Sequence, residues 1–250
     1  SLTIDPIATT LNGGQMLLKP GLVIDDVQGI ALQFYEGSAI SGASINDEVS
    51  QRVLSYVAPV LGKATQVRGT IAGDVRTADI PITGPPERTM TLNGHMAFQD
   101  VVFSPGPGAI EVLSLLGKAD IATLKMEQPV ELSVANRRVY QKGLAMTIRN
   151  DAKLSLEGSV GFDKTLDLRA GVPITQAMLG GGQTVANDLL ADKTVTVPIG
   201  GTVARPIVNK DALRVALGEL SRGVLKKELS REAAKLLKLP QTQTGANPHA

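Results

Sequence analysis

The sequence predicts a mainly β fold, an antiparallel meander with two or three amphipathic helices laid over one face. Three observations predict it. Long stretches alternate apolar and polar residues with the period of two that a half-buried strand requires. Turn formers are abundant, with 26 Gly and 14 Pro in 250 residues, which suits many short connections. Helical periodicity is clear in three segments, 45–61, 107–125 and 210–239. Apolar residues make up 43% of the chain and aromatics only 3%, so the core must be built from Leu, Val, Ile, Ala and Met.

In chain order, Leu22 and Ile24 form one strand and Ile30, Leu32 and Phe34 the next, divided by Asp25-Asp26. From Ile45 the period becomes helical. Asn46 or Asp47 can cap the start, Val49, Val53, Tyr56, Val57 and Val60 share a face, and Pro59 and Gly62 suit a stop. Thr65, Val67, Gly69, Ile71, Gly73 and Val75 lie on one face of a long strand, whose glycines suggest a bend or close approach of another backbone. After a loop at 83–87, Met90, Leu92, Gly94, Met96 and Phe98 repeat the pattern. Ser104-Pro105-Gly106-Pro107-Gly108 is a rigid turn, and Ile110, Leu113, Leu116, Ile121 and Leu124 read as a broken amphipathic helix.

The clearest β stretch runs from 129 to 174. Val130, Leu132 and Val134 lead to a turn near Asn136, and Val139-Tyr140, Leu144 and Met146 follow. Leu154, Leu156, Gly158, Val160 and Phe162 alternate strictly. Asp163-Lys164 makes a two-residue hairpin connection, and Leu166, Leu168, Ala170, Val172 and Ile174 return along the partner strand. The opposite face carries Lys153, Glu157, Asp167 and Arg169. Residues 175–191 are weakly helical around Gly180-Gly181-Gly182. Val195, Val197, Ile199, Gly201 and Val203 form a last strand, stopped by Pro206. The final helix, 210–239, carries a stripe of Leu213, Leu217, Leu220 and Val224, with bending or close packing expected at Gly218 and Gly223. On length alone one elongated domain or two smaller ones fit. The pattern favours a single elongated domain, 1–240, with 241–250 a polar, disordered tail.

Function classes narrow quickly. Net charge is +1, which gives no concentrated basic face for nucleic acid. No cysteine is present, so thiolate catalysis and Cys-based metal sites are excluded. No apolar run reaches the roughly 18 residues of a membrane-spanning helix. The chain opens at Ser1 with neither Met nor signal peptide, as a mature chain or a fragment would. His95 is the only histidine outside the tail and lies on the face opposite Met90, Leu92 and Met96; it reads as a surface or packing residue. Asp25, Asp26, Glu36, Asp47 and Glu48 each have a local structural role. Gly180-Gly181-Gly182-Gln183-Thr184 lacks the Lys and hydroxyl that complete a phosphate loop. The basic residues of the last helix are interleaved with Glu219, Glu228 and Glu232, favouring a solvated face over attachment to an anionic membrane. No catalytic residue, cofactor or metal is expected.

The segments Tyr56–Leu61, Ala64–Gly69, Arg138–Leu144, Leu154–Leu168 and Val197–Pro206, followed by a long helix, together resemble the C-terminal regions of AsmA-like bacterial envelope proteins. That group includes TamB-like and related bridge-like lipid-transfer proteins. The resemblance covers about residues 50–240. It implies a long, curled antiparallel sheet, open or partly closed, with an apolar inner face. It also implies a place in the periplasm or cell envelope, within a longer membrane-anchored chain. The partners it implies are phospholipid or another acyl lipid, and membrane or envelope proteins, in lipid transport or outer-membrane biogenesis. The residues expected to line the groove are Met90, Leu92, Met96, Phe98, Leu154, Leu156, Val160, Phe162, Leu166 and Leu168. In the alternative reading, a structural or protein-interaction β domain, the same residues form a closed core.

Overall fold

The computed structural model describes residues 1–59, 65–104, 110, 113–114, 124–126, 129–147, 153–174 and 193–237. A single antiparallel sheet of 14 strands dominates it. Its strands are β1 (Leu2–Thr3), β2 (Ile7–Leu11), β3 (Gly14–Leu18), β4 (Pro20–Asp25), β5 (Gly29–Ser44), β6 (Thr65–Pro81), β7 (Thr91–Ser104), β8 (Leu124–Met126), β9 (Val130–Ala135), β10 (Arg138–Thr147), β11 (Lys153–Gly161), β12 (Leu166–Pro173), β13 (Thr194–Thr202) and β14 (Arg205–Val208). The main path runs β1-β4-β5-β6-β7-β8-β10-β11-β12-β13-β14. Strand β3 adds to β5 beside β4, and β9 sits between β7 and β10 beside β8.

Local chemistry sets these strands. Asn12-Gly13 and Asn136-Arg137 each place two successive residues at positive φ, the two-residue turn whose twist matches that of a hairpin. The Asp25 carboxylate accepts the Val27 and Gln28 amides and closes the β4–β5 turn. Register shifts interrupt β5–β6 at 35/38 and 40/43, and β6–β7 at three points. Each such bulge bends the strand and strengthens its twist. At Gly69 (φ 124°) an added Cβ would lie 2.8 Å from the Asp100 carbonyl, the close backbone approach that the strand glycines suggested.

The long hairpin of β11 and β12 forms as anticipated, with Ser155 opposite Gly171 and Val160 opposite Leu166, a register one residue away from the one a two-residue turn at Asp163-Lys164 would set. Its connection is one residue longer than a two-residue turn. Gly161 and Lys164 close a turn, Gly161 N–H donates to the Thr165 carbonyl, and Lys164 takes a positive φ of 67°. Phe162 therefore leaves the alternation and is 42% exposed in the loop. Pro206 does not stop the last strand; it lies inside β14, opposite Gly201. This is an edge strand, where a missing N–H is tolerated on the outward side. Leu124 belongs to β8 rather than to a helix; Ile110, Leu113 and Ser114 are helical, and the rest of that expected helix lies outside the described residues. The same holds for 175–191, for Gly62 and for the tail.

Asn46 caps the first helical segment, its side chain accepting the Val49 amide at 2.9 Å. The segment comprises α1 (Asp47–Val49), a π turn (Ser50–Leu54) and α2 (Ser55–Val57). In the π turn the Ser55 amide reaches back five residues to the Ser50 carbonyl. The extra residue in that turn rotates the apolar face by one position. Leu54 is fully buried and Val53, expected inward, is 40% exposed. The helix packs on β10 and β11, several strands away from β5, so the sheet curls around it. A clasp fixes the contact: Lys164 Nζ lies 3.3 Å from the Tyr56 ring centroid and 2.8 Å from Ser55 Oγ. Tyr56 and Phe162 meet edge to face at 6.1 Å. Helix α3 (Lys210–Leu237) is capped by Asn209, whose side chain accepts the Ala212 amide. It packs against β13 through buried Leu213, with Leu217 and Leu220 beside it. No close packing occurs at Gly218 or Gly223, where an added Cβ would meet nothing within 4 Å.

Candidate functional site

Among the described residues, the inner face of the sheet divides into a part on which helices pack and a part on which none does. A single row of cross-strand partners shows the transition: Ser38, Val75, Gly94, Leu132, Gln141, Gly158, Leu168, Ile199 and Val208, one on each strand from β5 to β14 except β8. Leu168, Ile199 and Val208 at one end are buried in the core, whereas Val75 and Leu132 are half-buried; Ser38 and Gly94, small residues on the groove floor, are buried. On the uncovered half this row runs beside a second one, Met16, Ile40, Gly73 and Met96.

Between the two rows lies a groove of about 240 Å³ that crosses the strands from β3 to β9, with Leu18 and Leu92 completing its walls. Five strands at about 4.8 Å spacing make it roughly 19 Å long. Small residues on its floor, Ser38, Ala39, Gly73 and Gly94, leave the space. Gly94 is the clearest case, since a Cβ there would collide with the Asp74 carbonyl of the neighbouring strand. The lining is mainly aliphatic and thioether; Asp74 and His95 also border it, at strand positions that alternate to the outer face, and Ser38 is already satisfied, its Oγ accepting the Lys19 amide at 2.9 Å.

The residues expected to line a groove are split by this division. Leu92 and Met96 lie in it. Met90 is half-buried just before β7, outside the groove. Phe98, Leu154, Leu156, Val160 and Leu168 are 0–5% exposed and belong to the closed core. Leu166 is half-buried against that core, and Phe162 sits in the exposed loop against Tyr56. Sequence reasoning did not place Met16, Leu18, Ile40 or Val75 in the groove. The signal that would have found the first two is Asn12-Gly13, a strong hairpin marker between Ile7–Leu11 and Gly14–Leu18.

The outer face is polar and carries a second depression of about 440 Å³ with Arg76, His95, Glu131, Lys142, Glu157 and Arg169 on its walls. His95 faces outward as expected. Its Nε2 lies 2.9 Å from the Arg76 guanidinium and its Nδ1 3.4 Å from Asp74. Arginine can only donate, so Nε2 accepts and Nδ1 carries the proton toward Asp74. Among the described residues, no group of three or more His, Asp or Glu side chains is placed to hold a metal ion. The Asp25 and Asp163 carboxyls are held below the ordinary carboxylate range by local hydrogen bonds. For Asp25 these come from the Gln28 and then the Val27 amide; for Asp163, from the Thr165 hydroxyl and then its amide. Both serve turns. No helix among the described residues is long and apolar enough to cross a membrane. No family model, curated protein or solved structure matches the chain.

Proposed function

We propose that this chain is a non-enzymatic module of the bacterial cell envelope that binds lipid acyl chains in its inner-face groove, in lipid transfer or outer-membrane assembly. The observation that carries the reading is the uncovered half of an otherwise closed apolar face. A sheet with one apolar side normally hides it, and here Met16, Ile40, Val75, Leu92, Met96 and Leu132 leave a continuous trough. Aliphatic and methionine linings suit a chain that slides, because they attract it without directional contacts.

Magnitudes favour passage over storage. A cavity of about 150 Å³ holds a six-carbon ring, so 240 Å³ takes roughly nine or ten carbons of one chain. At about 0.8 kcal/mol per methylene, the gross gain is about 7 kcal/mol. Association costs about 4–15 kcal/mol. The net is weak, reversible binding of part of one acyl chain, which is what a transfer surface requires.

The test is mass spectrometry of an organic extract of the purified protein, together with binding of a dansyl-labelled fatty acid, for wild type and Met96→Trp. Acyl lipid in the wild type, reduced by the indole that fills the groove, supports the reading. A lipid-free wild type that ignores the fatty acid defeats it. It would leave the structural β domain, a reading already favoured by the burial of Leu154, Leu156, Val160 and Leu168 in a closed core.

A further inference from the structure

We propose that the side-chain amide of Gln141 is the polar anchor of the groove, and that the chain it receives ends in a hydroxyl-type group, one that both donates and accepts a hydrogen bond. The inference rests on the acyl-chain reading above and adds the chemistry of the chain's terminus.

Gln141 is 3% exposed, and neither its Oε1 nor its Nε2 has a hydrogen-bond partner. No other buried side chain among the described residues is left in that state. Ser38 Oγ takes the Lys19 amide, Ser55 Oγ donates to the Gln51 carbonyl, and Ser159 Oγ takes the Arg138 guanidinium. An unpaired buried amide is costly, and Leu at 141 would remove that cost in a row whose other inward members are Val, Leu, Ile, Gly and one satisfied Ser.

Its position gives the amide a use. Gln141 is the direct cross-strand partner of Leu132, the wall residue at the far end of the groove, and of Gly158 on its other side. The amide therefore belongs to the next strand, about 4.8 Å beyond the groove's end. Only the half-buried Leu132 side chain stands between them in the row, and Gly158 presents none. Gln141 is not itself among the residues that line the groove, and its backbone strand also borders the outer depression; a chain whose end points toward β10 must displace the Leu132 side chain to reach it. Both halves of the amide are unfilled, a donor and an acceptor. An ether or ester oxygen satisfies only the Nε2 donor, whereas a hydroxyl answers both.

The experiment compares decan-1-ol with 1-methoxydecane, which accepts but cannot donate, by displacement of a dansyl-labelled acyl probe from the intact chain. Wild type is expected to bind the alcohol about tenfold more tightly. Gln141→Leu should abolish that preference while keeping affinity for the ether and an undiminished melting temperature. Gln141→Met, which keeps the side-chain length, replaces it if the Leu variant does not fold. Equal affinities in the wild type, as expected if a trapped water satisfies the amide, overturn the anchor but leave the groove standing. A preference that survives in Gln141→Leu does the same. Failure of the wild type to bind either molecule overturns the acyl-chain reading and this inference with it.

Discussion

Leu156→Ala and Met96→Ala should differ sharply, because one residue lies in the closed half of the sheet and the other in the open half. Leu156 is 2% exposed on β11, between Leu144 and Ala170 on its two neighbouring strands. The change removes three carbon groups, worth about 2.4 kcal/mol in transfer at about 0.8 kcal/mol each. Strands on both sides keep the site from collapsing, which adds about 1–2 kcal/mol for the cavity left behind. The sum is about 4 kcal/mol, or roughly 8–16 °C in Tm for a chain of this size. Met96 is half-buried beside a groove already open, so truncation leaves no sealed void and should cost about 1–2 kcal/mol. Thermal and urea unfolding of the two variants beside wild type measures the difference. Acyl-probe binding should move the other way, weakened by Met96→Ala and kept by Leu156→Ala at temperatures where it is folded. Equal destabilisation, or a Leu156→Ala loss below about 1 kcal/mol, would refute the division of the sheet into covered and uncovered halves.

Gly218→Ala and Gly223→Ala should each stabilise α3 by about 1 kcal/mol, since both sites are open; circular-dichroism melting checks this, and a loss of stability would mean that those sites are in contact. The depressed Asp25 and Asp163 carboxyls contribute stability that is fully present above the ordinary carboxylate pKa and lost as pH falls through their lower folded values. Protection of the amides in the 25–29 and 161–165 turns, measured as exchange relative to the intrinsic rate at each pH, should therefore change little from pH 7 to 5 and fall as pH drops below about 4, and turns that lose protection at pH 6 would contradict this. Deleting 210–250 uncovers Val197, Ile199 and Val208 and should produce soluble aggregates in light scattering; a monomer with unchanged Tm would show that α3 is no cover.

Much of the fold was legible because its signals are local. Leu154–Val160 and Leu166–Val172 pair as an antiparallel hairpin, as strict alternation on both sides of a polar turn implies. What failed depended on single residues that change a count. The π turn moves burial from Val53 to Leu54, and Lys164 at positive φ lengthens the hairpin loop and expels Phe162. Asp100, also at positive φ, lets Phe98 and Val101, an odd three apart, both point inward. Alternation cannot announce such insertions, because the residues on either side keep a period of two. The groove was half legible for a different reason. Leu92 and Leu156 carry the same strand signal, and only the presence or absence of a helix above distinguishes them.

That difference follows from the connections. The links between the first five strands are short: 4–6, Asn12-Gly13, Lys19 and 26–28. None has enough residues to fold a helix back over the sheet. The β5–β6 link does, and it reaches across to pack α2 on β10 and β11, in one core with Ala43 of β5 and Ile71 of β6. The Tyr56–Lys164 clasp holds it there. The last helix follows β14 and covers β13. The main helix contacts with the sheet therefore fall on β10, β11 and β13, although the inward-facing row runs from Ser38 to Val208. The uncovered trough is a consequence of where chain length was spent on helices. Covering it with a helix would require lengthening an N-terminal turn, whereas a large side chain on the inner face, as in Met96→Trp, only obstructs it.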